Sequence, residues 1–285
     1  VSITIGSSGT GAGSSLTLQA GHTSGAGSGG AVSITTGSSS TQSSGDMTLA
    51  TAPATAAGST SGMILISTGE ASESAGSIVI RSGDSTSATS TGGSISVVVG
   101  SSEKQGGSIT LSAGESNSET GGAITITTGL GVTTSSGDMT LATANGVGSG
   151  ISGTIIMSSG ATIGGDSGAV FIGSGTSTSG NSGKISIVVG STVSGQGGDV
   201  LIAAGYSASF TSGAVTIVSG DAGDAKDSGP VTMASGSSAS GAMGLLLLST
   251  GVSAGDTGSM YLVTGSSSAA TTGDIFIEAG SASLT

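Results

Sequence analysis

The sequence predicts an all-β fold, a parallel β-solenoid of 19 units of about 15 residues each, and three observations predict it. A segment of the form apolar-x-apolar-x-x-Gly, with Ala sometimes in the Gly place, recurs from one end of the chain to the other. Within each segment, as in Met139-Thr140-Leu141-Ala142-Thr143, odd and even positions face opposite ways, the period-2 pattern of a half-buried strand. The composition agrees: 57 glycines, two prolines, no cysteine, no tryptophan and a formal net charge of −12, with the β-branched and aliphatic residues at regular spacing rather than depleted as in a disordered chain.

The units begin at Val1, Leu16, Val32, Met47, Ile64, Ile78, Ile95, Ile109 and Ile124, and continue at Met139, Ile155, Val170, Ile185, Val200, Val215, Val231, Leu246, Met260 and Ile275. A continuous repeat of this kind overrides the two domains that 285 residues would suggest by length, and the expectation is one elongated body over residues 1–285. No single unit could bury its apolar face alone, so a core has to form cooperatively along the stack. Val1 opens on a segment and residues 275–279 form another close to the far end. Because solenoids need capping units, the sequence reads as a segment of a longer or processed chain.

The first connectors are almost pure Gly, Ser, Thr and Ala and hold the one histidine, His22. With no second His, no Cys and no acid cluster nearby, His22 reads as a surface residue rather than a ligand or a base. From Val32 onward a second period of about 91 residues, six units, overlies the first. SGDMTLATA at 44–52 returns unchanged at 136–144, and the blocks run over about 32–123, 124–214 and 215–285, the last incomplete. Stacking requires only the 15-residue unit. The block asks for another explanation.

The middle residue of each segment, expected to point outward, supplies one. It is Ser or Thr in most units, as at Thr48, Thr110, Thr140 and Ser186, but apolar in two consecutive units of each block: Leu65 and Val79, Ile156 and Phe171, Leu247 and Tyr261. Recurrent outward apolar residues are read as lateral contacts with a partner, against the rival reading that long connectors fold back over them. Leu201 and Phe276 also fall at outward positions without a matching ladder.

One unit per rung is the favoured coil, since five segment residues span about 16 Å and the other ten can turn, return and turn again. Val132, Val147, Ile163 and Val193 would then face inward on the return leg. Two units per rung, about 30 residues, is the alternative. Asp46, Asp138, Asp199 and Asp274 stand immediately before segments and read as turn-stabilising residues, because they lack the nonapeptide frame of calcium-binding β-rolls. The glycine-rich connectors precede no helix and are not phosphate cradles.

Charge and spacing bound the function. Only Arg81, Lys104, Lys184 and Lys226 are basic, which argues against nucleic acid, and no run of 18 apolar residues exists to span a membrane. The acids are scattered through the connectors, so no catalytic residues, metal ligands or cofactor site can be assembled, and the chain is not expected to be an enzyme. An ice-binding solenoid would present Thr-x-Thr ladders, yet both outward positions are Thr only at Thr125 and Thr127.

Repeats such as GGSITLSAG at 106–114 and GGAITITTG at 121–129 resemble the Gly/Ser/Thr-rich β-solenoid repeats of secreted surface fibres and adhesin stalks, including those of algal flagellar hairs (mastigonemes) and bacterial adhesins. The resemblance covers the whole chain and is one of style. It implies an extracellular or cell-surface setting and a structural subunit of a fibre or appendage, stiffened by stacked β-rungs and self-associating into filaments through the outward apolar residues, with accessory surface proteins or glycans as further partners. An ice-binding or ligand-binding adhesin solenoid is the alternative function. Connector Ser and Thr offer acceptors for O-glycosylation in an exported chain, whereas Asn117, Asn145 and Asn181 lie in no N-linked sequon.

Overall fold

The computed structural model describes residues 2–6, 8–9, 11–87, 89–223, 226–268 and 270–280. The expected start of the first unit at Val1 lies outside the described residues. The chain divides into two units, Val1–Thr140 and Leu141–Thr285, and the division falls inside the segment 139–143.

The expected fold does not form: there is no helix and no β-strand among the described residues, and so no parallel solenoid with either one or two units per rung. Stiffening by stacked rungs goes with it. The reason is visible where each connector closes. In a coil of one unit per rung, the start of one segment would sit above the start of the segment before it. Here the start of a segment returns instead to the end of its predecessor. In the first unit Gly30 N–H donates to Gly21 O at 2.8 Å, Gly45 to Gly37 at 3.1 Å, Gly93 to Gly83 at 3.2 Å, Gly122 to Gly114 at 2.9 Å and Gly137 to Gly129 at 3.1 Å. In the second unit Gly213 N–H donates to Gly205 O at 3.0 Å. Each bond shuts a loop of seven to nine residues at its neck, leaving no return leg over which a rung could be built. Nor do the segments continue from the neck as hairpins: the backbone hydrogen bonds of the described residues lie in the connectors and at the necks, none within a five-residue apolar segment.

Burial follows from this. No described residue is buried, and no core exists among them. The accessible surface is 27753 Å². A closely packed protein of this mass, 26.0 kDa, would expose about 10500 Å² and its extended chain about 37700 Å². Val132, Val147, Ile163 and Val193, expected on an inward leg, are fully in solvent on the loops. A closed loop has no inside for them to face.

The alternation within a segment does appear. Along Ile95, Val97, Val98 and Val99 the exposure runs 54%, 71%, 83% and 40%, so the odd positions are the more shielded and Val98 the most open. Six described residues are half-buried: Ala20, Ser82, Ala113, Gly131, Ser207 and Ser219. Four of them are the small fifth residue of a segment, beside the neck.

With neither paired segments nor a core, a dilute monomer has no cooperative unit to melt. A urea titration followed by far-ultraviolet circular dichroism is expected to drift without a sigmoidal transition, because a cooperative transition needs surface to be exposed on unfolding. Deuterium exchange of segment amides in the same sample should be complete at the earliest time points. A protected set of segment amides in a verified monomer would contradict the structure.

Candidate functional site

The candidate functional element is the repeated segment together with its glycine neck. Seventeen consecutive segments, from the one at Val32 to the one at Ile275, have a glycine two residues before their first apolar residue. The structure shows what fifteen of these glycines face. A Cβ there would meet the side chain of the preceding segment's fifth residue, at separations of 2.6 Å for Gly107 against Val99, 3.1 Å for Gly93 against Ser82, 3.3 Å for Gly122 against Ala113 and up to 3.8 Å for Gly258 against Thr250. The tight ones, as at Gly107, Gly93, Gly122, Gly153 and Gly198, leave little room for a side chain, while those at Gly45, Gly137, Gly183, Gly244 and Gly258 are ordinary van der Waals contacts that a Cβ could make. At six of the fifteen, Gly30, Gly45, Gly93, Gly122, Gly137 and Gly213, the same glycine also donates its N–H across the neck. Thr143 reinforces one neck from the side, its hydroxyl donating to Gly153 O at 3.2 Å.

The loops are turned by hydroxyls. In twelve connectors the Ser or Thr two residues past the corner glycine accepts a backbone N–H from two or three residues further on, as in Glu119 N–H to Ser116 Oγ at 3.0 Å, Gly180 N–H to Ser177 Oγ at 3.0 Å and Gly241 N–H to Ser238 Oγ at 2.9 Å. This is the local side-chain turn that makes Ser and Thr favourable outside regular structure. Five connectors have no Ser or Thr two residues past the corner, and in two of these, after Ala52 and Ala144, the corner itself is alanine. In the first, Ser59 N–H bonds Ala56 O with Gly58 at φ 79°, the position at which a type II turn requires positive φ. In the second, Gly150 N–H bonds Val147 O with Gly148 at φ 62°. The aspartates expected to stabilise turns, Asp46, Asp138, Asp199 and Asp274, make no hydrogen bond among the described residues. The hydroxyls do that work from the other end of the connector.

The residues expected to make lateral contacts are all solvent-exposed. Leu65 and Val79 lie in the first unit, and Ile156, Phe171, Leu247 and Tyr261 in the second. Each is more exposed than the apolar residues on either side of it, Phe171 reaching 93%. Exposure alone does not single them out, because the first and third residues of every described segment are exposed as well. What sets them apart is their 91-residue recurrence. His22 is exposed on its loop. Among the described residues there is no cavity, no group of three or more His, Cys, Asp or Glu placed to hold a metal ion, and no helix long and apolar enough to cross a membrane.

Comparison with known protein families, with characterised proteins and with solved structures finds no match to this chain.

The neck glycines and the capping hydroxyls are the residues that a reading for strands passed over. Their signal was an offset: glycine two places before seventeen segments, and Ser or Thr two places after most corners.

Replacing Gly122 with Val should open its neck, since even a Cβ there lies 3.1 Å from Gly114 N and 3.3 Å from Ala113 Cβ. The loss is one backbone hydrogen bond, about 1 kcal/mol. In nuclear magnetic resonance spectra, residues 114–122 should move toward random-coil shifts, while loop 129–137 keeps its own. Ser116→Ala should loosen the same loop by a smaller amount without opening the neck. Unchanged shifts in Gly122→Val would refute the neck.

Proposed function

We propose that this chain is a structural subunit of an extracellular fibre or surface appendage, assembled through association of its exposed apolar segments. The observation that supports this best is the state of the segments themselves. Each presents at least two large apolar side chains and an unpaired backbone to water, and does so again every 14 to 17 residues. Fully burying such a side chain is worth about 1.5–3 kcal/mol, and no partner for it exists within the described chain. Exposed apolar surface on this scale marks an interaction surface.

Repetition turns weak contacts into assembly. One segment gains too little to offset the entropy of association, but segments linked along one chain bind as tethered modules, so each contact raises the effective concentration for the next. The loops suit that role. They carry most of the acidic charge that keeps the chain dispersed. The extracellular setting rests on the resemblance to secreted fibre repeats. The paucity of Lys and Arg, four in all, fits a protease-rich exterior because it leaves few sites for trypsin-like cleavage.

Purified chain should convert to filaments above a critical concentration, seen by negative-stain microscopy and by sedimentation. Serine at Ile95, Val97, Ile109, Leu111, Ile124 and Ile126 together should raise that concentration by about tenfold or more, since each replacement forfeits part of the burial gain. A chain that remains monodisperse at every accessible concentration would sink the reading.

A further inference from the structure

We infer that the occupant of each apolar segment is the same segment of a second copy of this chain, paired parallel, and that the six-unit block sets the stagger between copies. The inference rests on the fibre reading above and adds to it the partner, the direction and the register.

Three observations carry the choice of a second copy. The segment backbones make no hydrogen bond with one another, so their donors and acceptors are available to another chain along the whole repeat. All the charged residues lie outside the segments except Arg81 and Glu278, so pairing segment to segment brings almost no like charges together despite a net charge of −12. Finally, the closed necks absorb differences in connector length, the loops between bonded glycines ranging from seven to nine residues, so unequal spacing in sequence need not throw two chains out of step.

Direction follows from the pattern within a segment. Positions one and three are large and apolar, while position five is Ala, Ser or Thr in nearly every unit. Parallel pairing sets one beside one and three beside three over the full five residues. Antiparallel pairing over the same length sets large beside small at both ends, and it matches apolar residues only by giving up overlap. Cross-strand neighbours on one face are what stabilise pairing, and a one-residue slip would carry them to the other face.

Stagger follows from the middle residue. Any shift by whole units keeps positions one and three matched, so main-chain pairing alone leaves many registers equivalent. Leu65 and Val79, Ile156 and Phe171, and Leu247 and Tyr261 remove that degeneracy, because one pair meets another member for member only at zero stagger or at shifts of six or twelve units. At a shift of one unit a pair matches only one of its members to the other, and at shifts of two to four units the pairs face Ser and Thr for the most part. Zero stagger bundles chains; a six-unit shift lets them extend one another.

The test uses the absence of cysteine from the chain. Thr48, Thr110 and Thr140 are middle residues, the first and third six units apart and the second and third two units apart. In oxidised filaments Thr140→Cys should cross-link to its own counterpart, and tagged Thr48→Cys should cross-link to Thr140→Cys. Thr110→Cys with Thr140→Cys should give about tenfold less mixed product. Serine at all six outward apolar positions should leave filaments standing but bring the mixed yields together. Equal mixed yields in the otherwise unaltered chain, or filaments without cross-links, would overturn the inference and leave the fibre reading intact. Absence of filaments would overturn the fibre reading itself.

Discussion

The rest of this structure depends on a contact that, at its tightest, has room only where a side chain is missing. At each neck the glycine ahead of a segment comes against the fifth residue of the segment before, and in six connectors its N–H also bonds the corner glycine. Everything distinctive about the chain follows. The loop is shut, so it cannot serve as a return path. The segment leaves the neck without a neighbour, so its apolar residues stay in water. Each of these bonds is worth about 1 kcal/mol.

That contact also explains the shorter of the two repeats. A 15-residue period is what closing loops requires: corner glycine, capping hydroxyl, neck glycine. The longer period varies the outward middle residue, from Ser or Thr to Leu, Val, Ile, Phe or Tyr, and it also carries the alanine corner from Ala52 to Ala144.

Much of the local structure was legible in the residues. The two-faced alternation follows from apolar-x-apolar spacing, whereas the first and third residues of each segment, expected in a core, are exposed like the middle one. The arrangement of segments was not legible, because period-2 patterning fixes which way side chains point and says nothing about what lies across from them. The same pattern suits a strand stacked on its own chain and a segment awaiting another. Val132, Val147, Ile163 and Val193 misled for that reason: apolar residues at regular spacing in a connector look like a second inward leg until the connector is seen to close on itself. Gly30, Gly45 and Gly122 were hidden differently, by abundance. In a chain with 57 glycines, one more glycine beside a segment carries no weight until its offset is found to be constant.

The closed loops also hold chain in reserve. Between Gly83 and Gly93 the backbone travels ten residues and ends with donor and acceptor 3.2 Å apart, although the same ten residues drawn out straight would reach about 35 Å. Pulled from its ends, the chain yields at the necks first, each letting out about 30 Å of slack for the loss of one weak bond, well before any covalent bond bears the load. When tension falls, a loop of this size finds its own ends again within about 100 ns. Slack of this kind belongs to each bonded loop by itself.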